Sequence, residues 1–204
     1  MIAIVNYGVG NLFSLESSLN FIGEEAVVTG DASVIMGAER IILPGVGAFR
    51  DAAEKLRATG LDKVLTAEAA KGKPLMGICL GMQLLFEKSL EYGEHEGLGL
   101  IEGVVRPIEG IVPSELKVPH IGWNRLIIKR KSPILREITD EDSVYFVHSY
   151  YADCPQEYHI ADTEYGGILT AAVQKDNVFG CQFHPEKSGN AGLRILKAFG
   201  EVRV

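Results

Sequence analysis

The strongest constraint on the fold is an alternation in the N-terminal part of the chain, where short apolar runs are separated by segments of helical spacing. The runs are "IAIV" (2–5), "AVV" (26–28), "RIILP" (40–44) and "KPLMGI" (73–78). Residues 11–22 place Leu12, Leu15, Leu19 and Ile22 three or four positions apart, which predicts an amphipathic helix. Residues 48–58 and 61–71 carry helical patterns on either side of Gly60. Apolar strands that alternate with helices predict an α/β fold, an open, mostly parallel, flavodoxin-like sheet with helices on both faces. Beyond it, "VYFVHSY" (144–150) and "VFGCQFH" (178–184) read as strands, and 103–175 lacks long helical periodicity. The C-terminal half is therefore expected to add antiparallel strands to the sheet. "SGNAGLRILKAFGEV" closes the chain as a helix with Ser188 as its cap. With no repeat or linker in view, 1–204 is expected to be a single domain.

Charge and cysteine usage narrow the functional classes. A net charge of −7 leaves no basic excess to neutralise phosphates, so nucleic acid is not an expected partner. No apolar run approaches the roughly 20 residues of a membrane span, and "IAIV" begins without a basic leader. A cytoplasmic protein without membrane contact is expected. Cys79, Cys154 and Cys181 are odd in number and far apart, which fits neither a disulfide framework nor a zinc site, so no metal is expected. "GVGNLF" after the first strand begins like a dinucleotide fingerprint, but Phe13 occupies the place of the third glycine and no Walker pattern exists. No nucleotide cofactor is expected.

The segment "KPLMGICLGMQLLFEKS" carries the most chemistry. It reads as a strand, then G-x-C-x-G, then an amphipathic helix bearing Leu84, Leu85 and Phe86. That is the layout of a nucleophile elbow with sulfur in place of a serine oxygen. Side chains at Gly77 or Gly81 would strike neighbouring backbone in so sharp a turn. A helix starting at Leu80 would aim its free N–H groups and positive end at the Cys79 sulfur, and the Leu80 N–H could serve a developing oxyanion. The alternative is a buried structural cysteine at a strand end.

A cysteine nucleophile needs a base, and the base needs an orienting group. His95 and His159 read as solvated loop residues, and His120 and His148 as structural ones. His184 differs because it stands in "QFHPEKS". Pro185 biases it to an extended backbone, and in an extended segment Glu186 shares its side and can orient the imidazole. In "LPGVGAF" the Val46–Gly47 turn after a strand could supply a second oxyanion donor; taken alone, a plain strand-to-helix turn is the better explanation.

Together "PGVG", "GICLGMQ" and "QFHPEKS" resemble the class I (triad) glutamine amidotransferases, whose glutaminase domains hydrolyse glutamine to glutamate and ammonia. "NYGVGNLFS", "VPHIGWN" and "YFVHSYY" narrow the resemblance to the glutaminase subunits of imidazole glycerol phosphate synthases, along essentially the whole chain. The resemblance implies Cys79 as nucleophile, His184 as base and Glu186 as its orienting group, with Val46, Gly47 and Leu80 at the oxyanion hole. It implies Gln83, Glu91, Ser149 and Tyr150 around an L-glutamine substrate, and no cofactor. It also implies Tyr7, Asn11, His120, Trp123 and Tyr145 toward a partner, a (β/α)8-barrel cyclase subunit that receives the ammonia. Asn6 and Phe13 stand where many members have aspartate and arginine, a departure that bears on docking. Competing expectations are a glutaminase for another synthase, such as the anthranilate or guanylate enzymes, and a non-enzymatic thiol-sensing module. The first leaves "PHIGWN" and "YGVGN" unexplained; the second has no use for "HPE".

Overall fold

A computed structural model describes residues 1–203. In chain order the first half contains β1 (Ile2–Val5), α1 (Leu12–Phe21), β2 (Ala26–Thr29), α2 (Ala32–Gly37), β3 (Arg40–Gly45), α3 (Phe49–Thr59), α4 (Leu61–Ala70), β4 (Leu75–Cys79) and α5 (Leu80–Gln83). There follow β5 (Phe86–Ser89), β6 (His95–Glu96), β7 (Ile101–Pro107), β8 (His120–Arg125), β9 (Ile127–Ile128), β10 (Ser143–His148) and β11 (Tyr150–Asp153). The chain closes with β12 (His159–Glu164), β13 (Ile168–Lys175), β14 (Val178–Cys181) and α6 (Gly189–Gly200).

The main sheet has eight strands in the order β2-β1-β3-β4-β14-β13-β12-β9. Its first five run parallel, and β13, β12 and β9 are added antiparallel. The parallel part has the flavodoxin-like order, with the direction of progression reversing beside β1. Side-chain alternation along β1 shows how it is covered. Ile2 and Ile4 join a core with Leu15 and Leu19 of α1 and Ile195, Leu196 and Phe199 of α6. Ala3 and Val5 point to the opposite core, with Ile35 of α2, Leu56 of α3 and Leu65 of α4. Both faces are dry, which is why these strands read as unbroken apolar runs.

The antiparallel additions are present, and two smaller sheets lie beyond them. One has the order β11-β7-β5-β6, and β10 pairs with β8 as a separate ribbon. The expected amphipathic helix carrying Leu84, Leu85 and Phe86 does not form. Helix α5 stops after Gln83, and Phe86 opens a strand paired in parallel with β7. Every residue from Leu80 to Phe86 is buried, so the run has no polar stripe to turn toward water, and its backbone is better used in a ladder. Ser188 is not a side-chain cap for α6; its hydroxyl accepts from Tyr145 N at 2.9 Å and donates to His184 O at 2.6 Å. His159 is no solvated loop residue. It opens β12, buried, with Nδ1 at 2.7 Å from Asp162 Oδ1 and Nε2 donating to Cys154 O at 3.2 Å.

Candidate active site

Strand β4 delivers Cys79 to the carboxyl end of the parallel sheet, where ligands of open α/β sheets bind. In the register of β3 and β4, Cys79 lies beside Gly45. Its backbone has φ 55° and ψ −112°, a conformation that non-glycine residues adopt only under strain. Backbone packs on backbone around it. A Cβ at Gly77 would sit 2.5 Å from Gly81 O, and one at Gly81 would sit 1.8 Å from Leu43 O. This is the steric requirement expected of the G-x-C-x-G pattern. Because α5 has four residues, a long helix dipole contributes nothing at the sulfur; only the local N–H groups of its first turn are available.

His184 follows β14, the strand beside β4, and its backbone is tied to the ribbon: His184 N donates to Tyr145 O at 2.9 Å. Its Nδ1 is 2.8 Å from Glu186 Oε1, and both side chains are buried. Glu186 reaches the ring across a short 3-10 turn, Pro185–Lys187, and not along an extended strand as the spacing suggests. With Nδ1–H donating to Glu186, Nε2 is the free nitrogen, and it has no hydrogen-bond partner among the described residues. Burial works against charge on this ring. The neighbouring Cys79 sulfur and the Glu186 carboxylate outweigh it and hold the His184 pKa up at about 9.

Cys79, Leu80, Val46, Gly47, Gln83, Glu91, Ser149, Tyr150 and His184 all line one cleft of about 580 Å³, a size suited to a small metabolite. Glu186 stands behind His184. Gln83 Nε2 donates to Tyr150 O at 3.2 Å and to Gln182 Oε1 at 3.0 Å. Both amide hydrogens are therefore committed, and the Gln83 carbonyl oxygen is left for a donor. Glu91 Oε2 accepts from Phe49 N, 2.5 Å away at the start of α3.

Several residues at the site escaped the sequence reading. Gln182 is fully buried, and its Nε2 lies 3.8 Å from Cys79 Sγ. Its signal was a lone polar residue inside the apolar run "VFGCQFH". His148, read as structural, also lines the cleft, as do Glu109 and Lys187. The residues expected toward a partner divide. Trp123 is 64% exposed and packs on the half-buried Tyr145, ring centroids 4.7 Å apart. Lys187 Nζ lies 5.7 Å from the Tyr145 ring centroid. Asn11 is half-buried ahead of α1, and Phe13 is exposed. Tyr7 and His120 are buried, Tyr7 donating to Pro44 O at 2.8 Å. Burial foremost, with the Cys79 charge second, raises the Tyr7 pKa and keeps its phenol protonated.

A family model described as glutamine amidotransferase class-I matches residues 11–201. Among curated proteins, the chain is 52% identical over 203 residues to "Imidazole glycerol phosphate synthase subunit HisH" of Caldanaerobacter subterraneus subsp. tengcongensis, covering 99% of this chain and 98% of that one. It is 49% identical to the protein of the same name from Oceanobacillus iheyensis, with 99% of each covered. Among solved structures, "Crystal structure of glutamine amidotransferase" superposes with a TM-score of 0.75 at 19% identity, covering 98% of both chains. "Structure of PurLQS from Thermotoga maritima" gives 0.76 at 21%, covering 97% of this chain and 96% of the other. At these identities the superpositions speak for the fold, and the sequence matches speak for the lineage: the chain belongs to the class I glutamine amidotransferase family.

Proposed function

We propose that this chain is the glutaminase subunit of an imidazole glycerol phosphate synthase, acting in the cytoplasm in histidine biosynthesis. The carrying observation is the pair of full-length relatives of that name at about half identity. The cleft supplies the chemistry. The Cys79 proton rests on His184 Nε2, on a ring that Cys79 and Glu186 hold in its charged form, and the thiolate Sγ attacks the side-chain amide carbon of glutamine. The N–H groups of Leu80 and of the Val46–Gly47 turn receive the negative oxygen of the tetrahedral intermediate. His184 then returns its proton to the leaving nitrogen, ammonia departs, and a thioester remains on Cys79. Water, deprotonated by His184, hydrolyses it to glutamate and restores the thiol. Gln83, with only its carbonyl oxygen uncommitted, accepts a hydrogen bond from the substrate, and Glu91, Ser149 and Tyr150 hold its amino and carboxylate end. The ammonia passes by an internal channel to a (β/α)8-barrel cyclase subunit, so that the heterodimer as a whole carries out the lyase step of ring formation. Exposed Trp123 over Tyr145 supports docking on the ribbon side of the cleft.

The test is Cys79→Ser in the assembled synthase. Glutamine-dependent turnover is expected to vanish while synthesis from added ammonium salts persists. Retained use of glutamine would overturn the triad assignment, and failure to recover a (β/α)8-barrel protein on affinity capture from the native cell would overturn the pathway.

A further inference from the structure

His148, on the cleft wall, and His120 stand as neighbours in the β8–β10 register, both buried. Three hydrogen bonds string them together. His148 Nδ1 lies 2.8 Å from Tyr150 O, His148 Nε2 lies 3.0 Å from His120 Nδ1, and His120 Nε2 lies 2.7 Å from Asn124 Oδ1. A carbonyl oxygen only accepts, so the first bond needs a proton on His148 Nδ1. Asn124 Nδ2 donates to Glu164 O at 3.1 Å. That turns its oxygen to His120 and requires a proton on His120 Nε2. The central bond needs one more. Three protons are called for, and two neutral imidazoles hold two.

The surroundings oppose a third proton. His120 is stacked between Phe146 and Tyr165, with ring centroids 4.9 and 4.0 Å away. Of the turn after β12, Tyr165 stacks on the ring, and the Glu164 carboxylate accepts from Gly166 N. His148 has His184 on its cleft side, whose charge repels a proton there. It shares the cleft walls with Glu91, Glu109 and Lys187, none of which hydrogen-bonds either ring. Burial pushes the His120 pKa down, and it pushes that of His148 down to about 4. Burial thus favours a neutral pair, which leaves one of the three bonds open.

We propose that His120 and His148 form a positioning relay with two neutral arrangements, which decide whether the Tyr150 carbonyl is held. In one, His120 Nε2–H bonds Asn124 and His148 Nε2–H bonds His120, leaving the lone pair of His148 Nδ1 against Tyr150 O. In the other, His120 Nδ1–H bonds His148 and His148 Nδ1–H bonds Tyr150 O, and the Asn124 amide gives up its place. Tyr150 O also accepts from Gln83 Nε2, so the relay ends on the glutamine side of the cleft. Its effect on catalysis rests on the glutaminase reading; the proton count does not.

The test is nuclear magnetic resonance of the full chain with isotope-labelled imidazole nitrogens at neutral pH, beside glutamine kinetics of the assembled synthase. Both rings should be neutral, with His148 nitrogens averaged between protonated and bare. Asn124→Leu removes the outer acceptor, so His148 should settle as the Nδ1–H form. If the two arrangements are equally populated in the parent, KM for glutamine falls about twofold at unchanged kcat. Asn124→Asp, a gentler change, should retain the third proton and leave one ring cationic. A parent His148 already wholly in the Nδ1–H form and unmoved by either variant would overturn the relay, as would a cationic pair in the parent. Tautomers that shift as stated in an enzyme that ignores glutamine would instead overturn the glutaminase reading.

Discussion

Replacing Gly81 with alanine tests the elbow directly. Gly81 has no left-handed φ, so its backbone would accept a side chain, and only the contact forbids one. The new Cβ would lie 1.8 Å from Leu43 O, well inside van der Waals contact. Leu43 belongs to β3, held between β1 and β4, so its carbonyl cannot rotate away as a flexible side chain would. Relief requires moving β3 and the elbow apart, an overpacking cost at the upper end of about 1–3 kcal/mol. Loss of unfolded-state freedom returns about 0.4–1 kcal/mol. The net destabilisation is about 2–3 kcal/mol, a fall in Tm of about 4–12 °C for a chain of this size. Gly37→Ala is the control. It ends α2 with nothing within 4 Å of its Cβ and no left-handed φ, so it should be neutral or stabilising by up to about 1 kcal/mol. Both are read by calorimetric and denaturant unfolding of the full chain. Glutamine hydrolysis in the assembled synthase should fall about 100-fold with a 1 Å displacement of Cys79. A Gly81→Ala protein within about 0.5 kcal/mol of the parent, the range of an innocuous surface change, would refute the steric account of the motif.

Two further outcomes concern histidine charge. Glu186→Gln removes one of the two interactions that raise His184, so its pKa should drop from about 9, followed by imidazole resonances; an unmoved titration would show that Glu186 does not stabilise the charged ring. His159, raised to about 10 chiefly by Asp162, lies above its unfolded value near 6.5. Its stabilisation is therefore complete below about pH 6.5 and lost as pH climbs through about 10. Denaturant midpoints of the parent should decline across that window. Asp162→Asn should flatten the decline and destabilise the chain at neutral pH by about 3–5 kcal/mol; an identical pH slope in the variant would remove His159 as its source.

The parallel sheet and the elbow were legible because each leaves a pattern in neighbouring residues. Strands dry on both faces must be apolar throughout, and a turn packed against β3 must carry glycine at 77 and 81. The one-turn α5 was not legible, since the spacing of Leu84, Leu85 and Phe86 does not say that a second sheet waits for their backbone. Helix α2 was missed for a related reason: its six residues are too few for a period, although Asp31 accepts from Ser33 N as a cap. His159 looked solvated because its polar neighbours in sequence conceal Asp162, which supports it in the interior. His184 and Glu186 were found from an assumed strand, yet they meet across a 3-10 turn. The residue types identified the contact, and the backbone path to it was different.

The two amide hydrogens of Gln83 belong to different parts of the molecule. One is fixed to Gln182, just beyond β14 of the main sheet, and the other to the carbonyl of Tyr150, at the edge of the four-stranded sheet. Cys79 and His184 both hang from the main sheet, Cys79 at the end of β4 and His184 just beyond the adjacent β14. The span from nucleophile to base is thus set within one rigid body, whatever the second sheet does. Glu91 and Tyr150 travel with the other body. Gln83 is a staple across the seam, and the seam cannot widen without drawing one of its hydrogens. Any loosening between the two halves is therefore felt first where the substrate is gripped, and last where its bond is cut.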